Sequence, residues 1–153
     1  MHPTAAALIR SLDLAPHPEG GHYRRIHASA RQVTDNGQTR PAMTAIRFLL
    51  SAGEFSAWHR VDAEETWHWQ LGDALELLIY DTCTEQVQRV IVDAAERGEP
   101  MHVVPAGCWQ AARSLGDFTL VGCTVSPGFV WEGFALLDKA SPLAARLATL
   151  LPR

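Results

Sequence analysis

From residue 21 to residue 136 the chain alternates short apolar runs with turn formers. Candidate strands fall at 21–28, 43–50, 55–59, 65–71, 74–81, 86–93, 101–105, 109–114, 118–125 and 130–136, many of them rich in Val, Ile, Thr, Phe, Trp or Tyr. Turn signals separate them: Asn36-Gly37, Ala52-Gly53, Gly72-Asp73, Gly98-Glu99-Pro100, Pro105-Ala106-Gly107, Leu115-Gly116-Asp117 and Pro127-Gly128. No helical period lies between the strands, which argues against a parallel α/β sheet and for an antiparallel sandwich or barrel. Helical patterns sit only at the two ends. Thr4 can cap a helix over about 4–13, which Pro16, Pro18, Gly20 and Gly21 then stop. Ser141 followed by Pro142 opens a second helix over about 142–151, with Leu143, Leu147 and Leu150 on one face. The polar stretch 29–42 reads as a mobile loop. Arg47 interrupts the apolar run Met43–Leu50 and is expected exposed on an edge strand, because its burial would demand an anion.

At 153 residues the chain suits one domain, 1–153, with a barrel over about 20–138, and its core needs no disulfide or metal. A net charge of -4 leaves no basic footprint for DNA or RNA. Three cysteines without CxxC spacing argue against a zinc ribbon and a disulfide framework, and suit the reducing cytoplasm. The N-terminal MHPTAAALIRSLDL lacks the basic leader and long apolar stretch of a signal peptide. No run approaches the ~20 apolar residues of a membrane span.

The chemistry concentrates in Gly53–Gly72. A strand ending near His59, an acidic turn and a returning strand through Glu65 would let these two side chains face each other across neighbouring strands. Glu64, next to Glu65, would then point to solvent. Strict alternation places Trp67 on the side of Glu65 and His68 on the other face, so His68 could contribute only through a bulge. A Pro105-x-Gly107 turn launches a strand whose first inward residue could be Gln110. The run His17-Pro-Glu-Gly-Gly21 and beyond offers Glu19 and Tyr23 as a pocket rim. Most of the five tryptophans read as packing, with Trp67 the best pocket candidate. Cys108 has no base at a spacing that would make it a nucleophile.

These pieces resemble the cupin superfamily. Its first motif runs Gly, five residues, His-x-His, three or four residues, Glu, six residues, Gly; here it reads Gly53, five residues, His59-x-Val61, three residues, Glu65, six residues, Gly72. Its second centres on Pro-x-Gly, two residues, His; here it reads Pro105-x-Gly107, two residues, Gln110. The stretches His17–Gly21, Glu64–His68, Val104–Trp109 and Gly122–Phe129 are similar to the cupin-5 branch, a domain of unknown function. The resemblance implies an all-β double-stranded β-helix, a jelly-roll barrel with short N- and C-terminal helices, a ligand at its mouth, and a homodimer.

Metal-binding cupins use three imidazoles and a carboxylate. Val61 and Gln110 stand at two of those positions, and neither replaces an imidazole on a transition metal. No cofactor is therefore expected; a divalent metal, if held, would rest on His59, Glu65 and Gln110. The expected function is binding of a small polar metabolite, with metal-independent proton transfer as in a sugar epimerase or isomerase. His59 would abstract the proton and Glu65 orient it; Gln110, Trp67, Glu19, Tyr23 and His68 would contact substrate. A non-catalytic binding or sensor dimer and a divergent metal-dependent enzyme are the alternatives.

Overall fold

The computed structural model of the chain describes residues 1–150. Helix α1 (Pro3–Ser11) precedes β1 (Ala15–Pro16), β2 (His22–Ala28), β3 (Gln32–Asp35), β4 (Gln38–Pro41), β5 (Thr44–Ser51), β6 (Phe55–Val61) and β7 (Glu64–Gly72). There follow β8 (Leu75–Asp81), β9 (Gln86–Val92), β10 (Met101–Val104), β11 (Trp109–Ser114), β12 (Phe118–Ser126), β13 (Phe134–Leu136) and helix α2 (Pro142–Leu147). Two antiparallel sheets, ordered β1-β2-β5-β12-β7-β10 and β13-β6-β11-β8-β9, face each other as the expected jelly roll. The core between them holds Phe48, Leu50, Trp67, Leu75, Leu77, Val92 and Val121.

The helices cover the outer faces. Ala5, Leu8, Ile9 and Leu12 of α1 pack with Leu49, Phe118 and Leu120 on the larger sheet. The cap of α1 is His2, not Thr4: its Nδ1 accepts from the Thr4 amide, and Pro3, whose fixed φ suits the first helical position, starts the helix earlier. Ser141 caps α2, whose Leu147 packs on Trp58, Tyr80 and Trp109 of the smaller sheet. This helix ends at Leu147 and Leu150 lies exposed; the expected end at residue 151 falls outside the described residues.

Three expectations change. The stretch 29–42 is no free loop: β3 and β4 form a hairpin around Asn36-Gly37, both at positive φ, as that dipeptide favours. It is pinned by Arg40, which is buried, donates through both terminal nitrogens to Asp62 at 3.0 Å, and through Nε to the Gly128 carbonyl at 2.7 Å. Arg47 is half-buried and sits on an inner strand, since β5 lies between β2 and β12. Finally, β6 and β7 do not pair. The chain crosses from one sheet to the other at Asp62-Ala63, where Ala63 is buried and Asp62 is held by Arg40.

Arg40→Met keeps the buried stem but leaves the Gly128 carbonyl without its donor. It is expected to lower unfolding stability by about 2–3 kcal/mol. A urea midpoint unchanged from the parent would show that the hairpin is not anchored there.

Candidate functional site

Alternation along the strands brings one set of side chains to an open end of the barrel. Tyr23 and Arg25 of β2, Thr44 and Ile46 of β5, His59 and Val61 of β6, Glu65 of β7, and Cys123 and Val125 of β12 line a cavity of about 420 Å³. The segment 129–134 supplies an aromatic lip through Phe129, Trp131 and Phe134. That segment is held by Thr44, whose hydroxyl accepts from the Phe129 amide at 2.9 Å, and by Arg25, which donates to the Phe129 carbonyl at 3.1 Å. The cavity size suits one small molecule.

His59 is a buried polar group of this lining. Its Nδ1 lies 2.6 Å from the Ala57 carbonyl, which can only accept, so Nδ1 carries the proton. Nε2 is then the basic nitrogen, and it lies 3.0 Å from Glu19 Oε2. Burial lowers the His59 pKa, with Glu65 nearby and the Ala57 bond opposing that shift. Burial raises Glu19 to about 8, against the opposing hydrogen bond from Ser56. Burial thus disfavours the charged form of both groups, which stand 3.0 Å apart.

Glu19 reaches His59 because the loop 17–21 wedges against β6. The Ala57 amide donates to the Glu19 carbonyl at 2.8 Å, and the Glu19 amide donates to His17 Nδ1 at 3.1 Å. His17 stacks edge-on to Tyr23 at 4.3 Å, and burial, followed by the His59 charge, holds its pKa down at about 4.

Glu65 faces the cavity from the opposite sheet. Its Oε1 accepts from Gln110 Nε2 at 2.8 Å, and Gln110 Oε1 accepts from the Trp67 indole at 2.7 Å. Burial raises Glu65 to about 7; His59 opposes this, Glu19 adds to it, and the Gln110 bond opposes it. No hydrogen bond joins Glu65 to His59 among the described residues; the carboxylate that stands within 4 Å of the imidazole is that of Glu19, at 3.0 Å. The reason is topological: the two strands belong to facing sheets, and the N-terminal loop fills the position beside the imidazole.

Of the expected contact residues, Glu19 and Tyr23 line the cavity. Gln110 and Trp67 stand behind it, both ends of the Gln110 amide being used internally. Through these bonds Gln110 ties Trp67 to Glu65. His68 points outward and pairs with Thr124 at 3.0 Å, as alternation without a bulge requires. Sequence reasoning missed His17, Arg25, Cys123 and Trp131 as lining residues. Period two from Tyr23 signalled Arg25, and period two from Val121 signalled Cys123. Cys108 is buried and its thiol pKa is raised, chiefly by burial, which disfavours the thiolate.

A metal does not fit this donor set. Gln110 is committed to Trp67 and Glu65, Val61 cannot ligate, and His59 Nε2 is taken by Glu19. Among the described residues no three His, Cys, Asp or Glu side chains are grouped to hold an ion.

The family model described as cupin superfamily (DUF985) matches residues 6–137. A hypothetical protein from Leishmania major is 34% identical, with a TM-score of 0.81 over 97% of this chain and 92% of that one. A protein from Shewanella oneidensis is also 34% identical, with a TM-score of 0.81 over 94% of this chain and 88% of its own. Oxalate decarboxylase from Bacillus subtilis, at 16% identity and a TM-score of 0.60 over 91% of this chain and 35% of that one, shares the fold. No curated protein matches the sequence.

Proposed function

Starting from the chain's membership of the cupin superfamily (DUF985), we propose that it binds a small polar metabolite in the barrel and transfers a proton on it, without a metal. Epimerisation or isomerisation of a sugar derivative is the reaction class that this reading favours. The observation that carries it is the buried His59–Glu19 pair at 3.0 Å, opening on a ligand-sized cavity. A buried acid and base without a task cost stability, and perturbed acids in a cleft mark sites of proton chemistry.

The pair can work as a unit. Shifting the Glu19 proton onto His59 Nε2 gives an imidazolium and a carboxylate, with the total charge unchanged. That carboxylate can take a proton from a bound molecule, and the imidazolium can return one. The Nδ1 bond to the Ala57 carbonyl holds the ring in place throughout. The lip and the buried walls limit access of water to the reacting atoms.

Edge strand β10 supports association of two copies, since its Met101 and Val103 are 58% and 43% exposed. Three unpaired cysteines support a cytoplasmic home. No helix among the described residues is long and apolar enough to cross a membrane.

The test is solvent exchange. Incubating the protein in heavy water with a panel of hydroxylated and carbonyl metabolites should label at least one at carbon, read by mass spectrometry. His59→Gln should slow that exchange by about 10²–10⁴ while leaving affinity for the same compound within a few-fold. Exchange that survives the substitution would overturn the role of His59, and a panel with no labelled compound would favour a pure binding protein.

A further inference from the structure

Among the described residues the cavity is lined by two buried carboxyls and by no buried cation. Glu19 and Glu65 are each 7% exposed. The other titratable groups facing Glu65 are His59 from β6, Cys123 from β12, and His17 beside Glu19 on the N-terminal loop. Tyr23 and Arg25 from β2 and Glu132 beside the lip complete the set. Arg25, the one permanent cation among them, lies exposed and is tied to the Phe129 carbonyl.

The two acids differ in what holds them. Glu19 is engaged by Ser56 and His59. Glu65 is bonded through Oε1 alone, and its Oε2 has no hydrogen-bond partner among the described residues although the side chain is more than nine-tenths buried and lines the cavity. A carboxyl oxygen that faces the cavity and accepts no bond from the chain is free to accept one from a ligand.

The mouth has matching chemistry. Trp131, 51% exposed, meets Phe129 edge-on at 4.9 Å and Phe134 edge-on at 5.4 Å. A lip of aromatic rings above a carboxyl floor favours a positive charge at both depths, through ring quadrupoles and through ion pairing. An anionic ligand would instead lie against two acids with no buried cation to meet it. A neutral one would leave the charge complementarity unused.

Building on the reading that this cavity binds a metabolite, we infer that its ligand is an organic cation. The ammonium group sits against Glu65 Oε2 and beside Glu19, and the body of the molecule packs against Trp131, Phe129 and Phe134. An amino sugar meets both this inference and the proton-transfer reading. Binding then draws a proton off Glu65, whose pKa burial has raised to about 7, so affinity rises with pH through that value until the amine itself loses its charge.

Two charge series on constant skeletons test this by calorimetry on the full chain: D-glucosamine, D-glucose and D-glucuronate, then benzylammonium, benzyl alcohol and benzoate. The expected result is at least a tenfold preference, roughly, for the cation in one series, with about half a proton released per benzylammonium bound at pH 7. Benzylammonium should also bind about tenfold more tightly at pH 8 than at pH 6. Glu65→Gln should remove the preference and the proton release. A preference for the neutral or anionic member, or no binding of any of the six at about 10 mM, overturns the inference. Because the comparison is made in the unmutated chain, it does not depend on Glu65→Gln folding. The proton-transfer reading is decided separately by the His59→Gln exchange experiment.

Discussion

Gly20→Ala is expected to lower unfolding stability by more than about 3 kcal/mol or to abolish the His59–Glu19 contact, and in either case to cost more than any other glycine-to-alanine change in a turn. Gly20 has φ +111°, a region L-residues rarely enter. A Cβ built there would lie 1.9 Å from the Phe55 carbonyl oxygen and 3.1 Å from its carbon. Those are backbone atoms of an inner strand and cannot step aside. The loop must therefore lift off β6, breaking the bond from the Ala57 amide to the Glu19 carbonyl and withdrawing the Glu19 carboxyl from the imidazole. Gly37 provides the control: it also has positive φ, at +77°, but nothing lies within 4 Å of its added Cβ. Gly37→Ala should cost about 1 kcal/mol, the backbone strain alone. Urea midpoints of the two variants measure the difference. Equal losses would mean that the loop is not wedged.

Stability is expected to fall by about 2 kcal/mol between about pH 6.5 and about pH 8.5. A carboxyl whose folded pKa is raised contributes stability that is complete below its unfolded value and is lost as pH climbs to the folded one. For Glu65 that loss ends near pH 7 and for Glu19 near pH 8. His17, held down at about 4, and His59, also lowered, act in the opposite sense. Below their unfolded value of 6.5 the unfolded chain takes up protons that the native imidazoles refuse, so stability is lost as pH falls. From about pH 4.5 to about pH 6.5 the two slopes oppose each other and stability stays nearly level. Above that the histidine contribution fades, the acids dominate, and stability declines. Urea unfolding at both ends of the window measures this, and Glu19→Gln should remove more of the decline than Glu65→Gln. A curve that rises with pH would mean that the native acids are already ionised.

The strand pattern, the two end helices and the inward direction of His59, Glu65 and Gln110 were legible because each rests on local rules. Period two sets the face of a strand residue, and Pro-x-Gly or Asn-Gly sets the turn before it. The same local reading explains why His68 lies outside and Glu64 in solvent. It failed where a contact joins distant segments. The polarity of residues 29–42 suggested mobility, yet Arg40 finds Asp62 and Gly128, residues that no local pattern links to it. Trp67 shares a face with Glu65, but the depth of the barrel places it in the core against Gln110.

The sequence by itself determined the architecture and the set of reactive groups: a jelly roll of alternating strands, an imidazole on β6, a carboxyl on β7, and an amide where a metal-binding relative would carry a third imidazole. Only the tertiary structure decided which groups act on each other. It assigned Glu19 rather than Glu65 to His59, turned Gln110 into a brace for Glu65, and gathered Trp131, Phe129 and Phe134 over the opening. The physical reason is that side-chain direction follows from neighbouring residues, whereas pairing across facing sheets depends on where a loop forty residues away along the chain is able to pack.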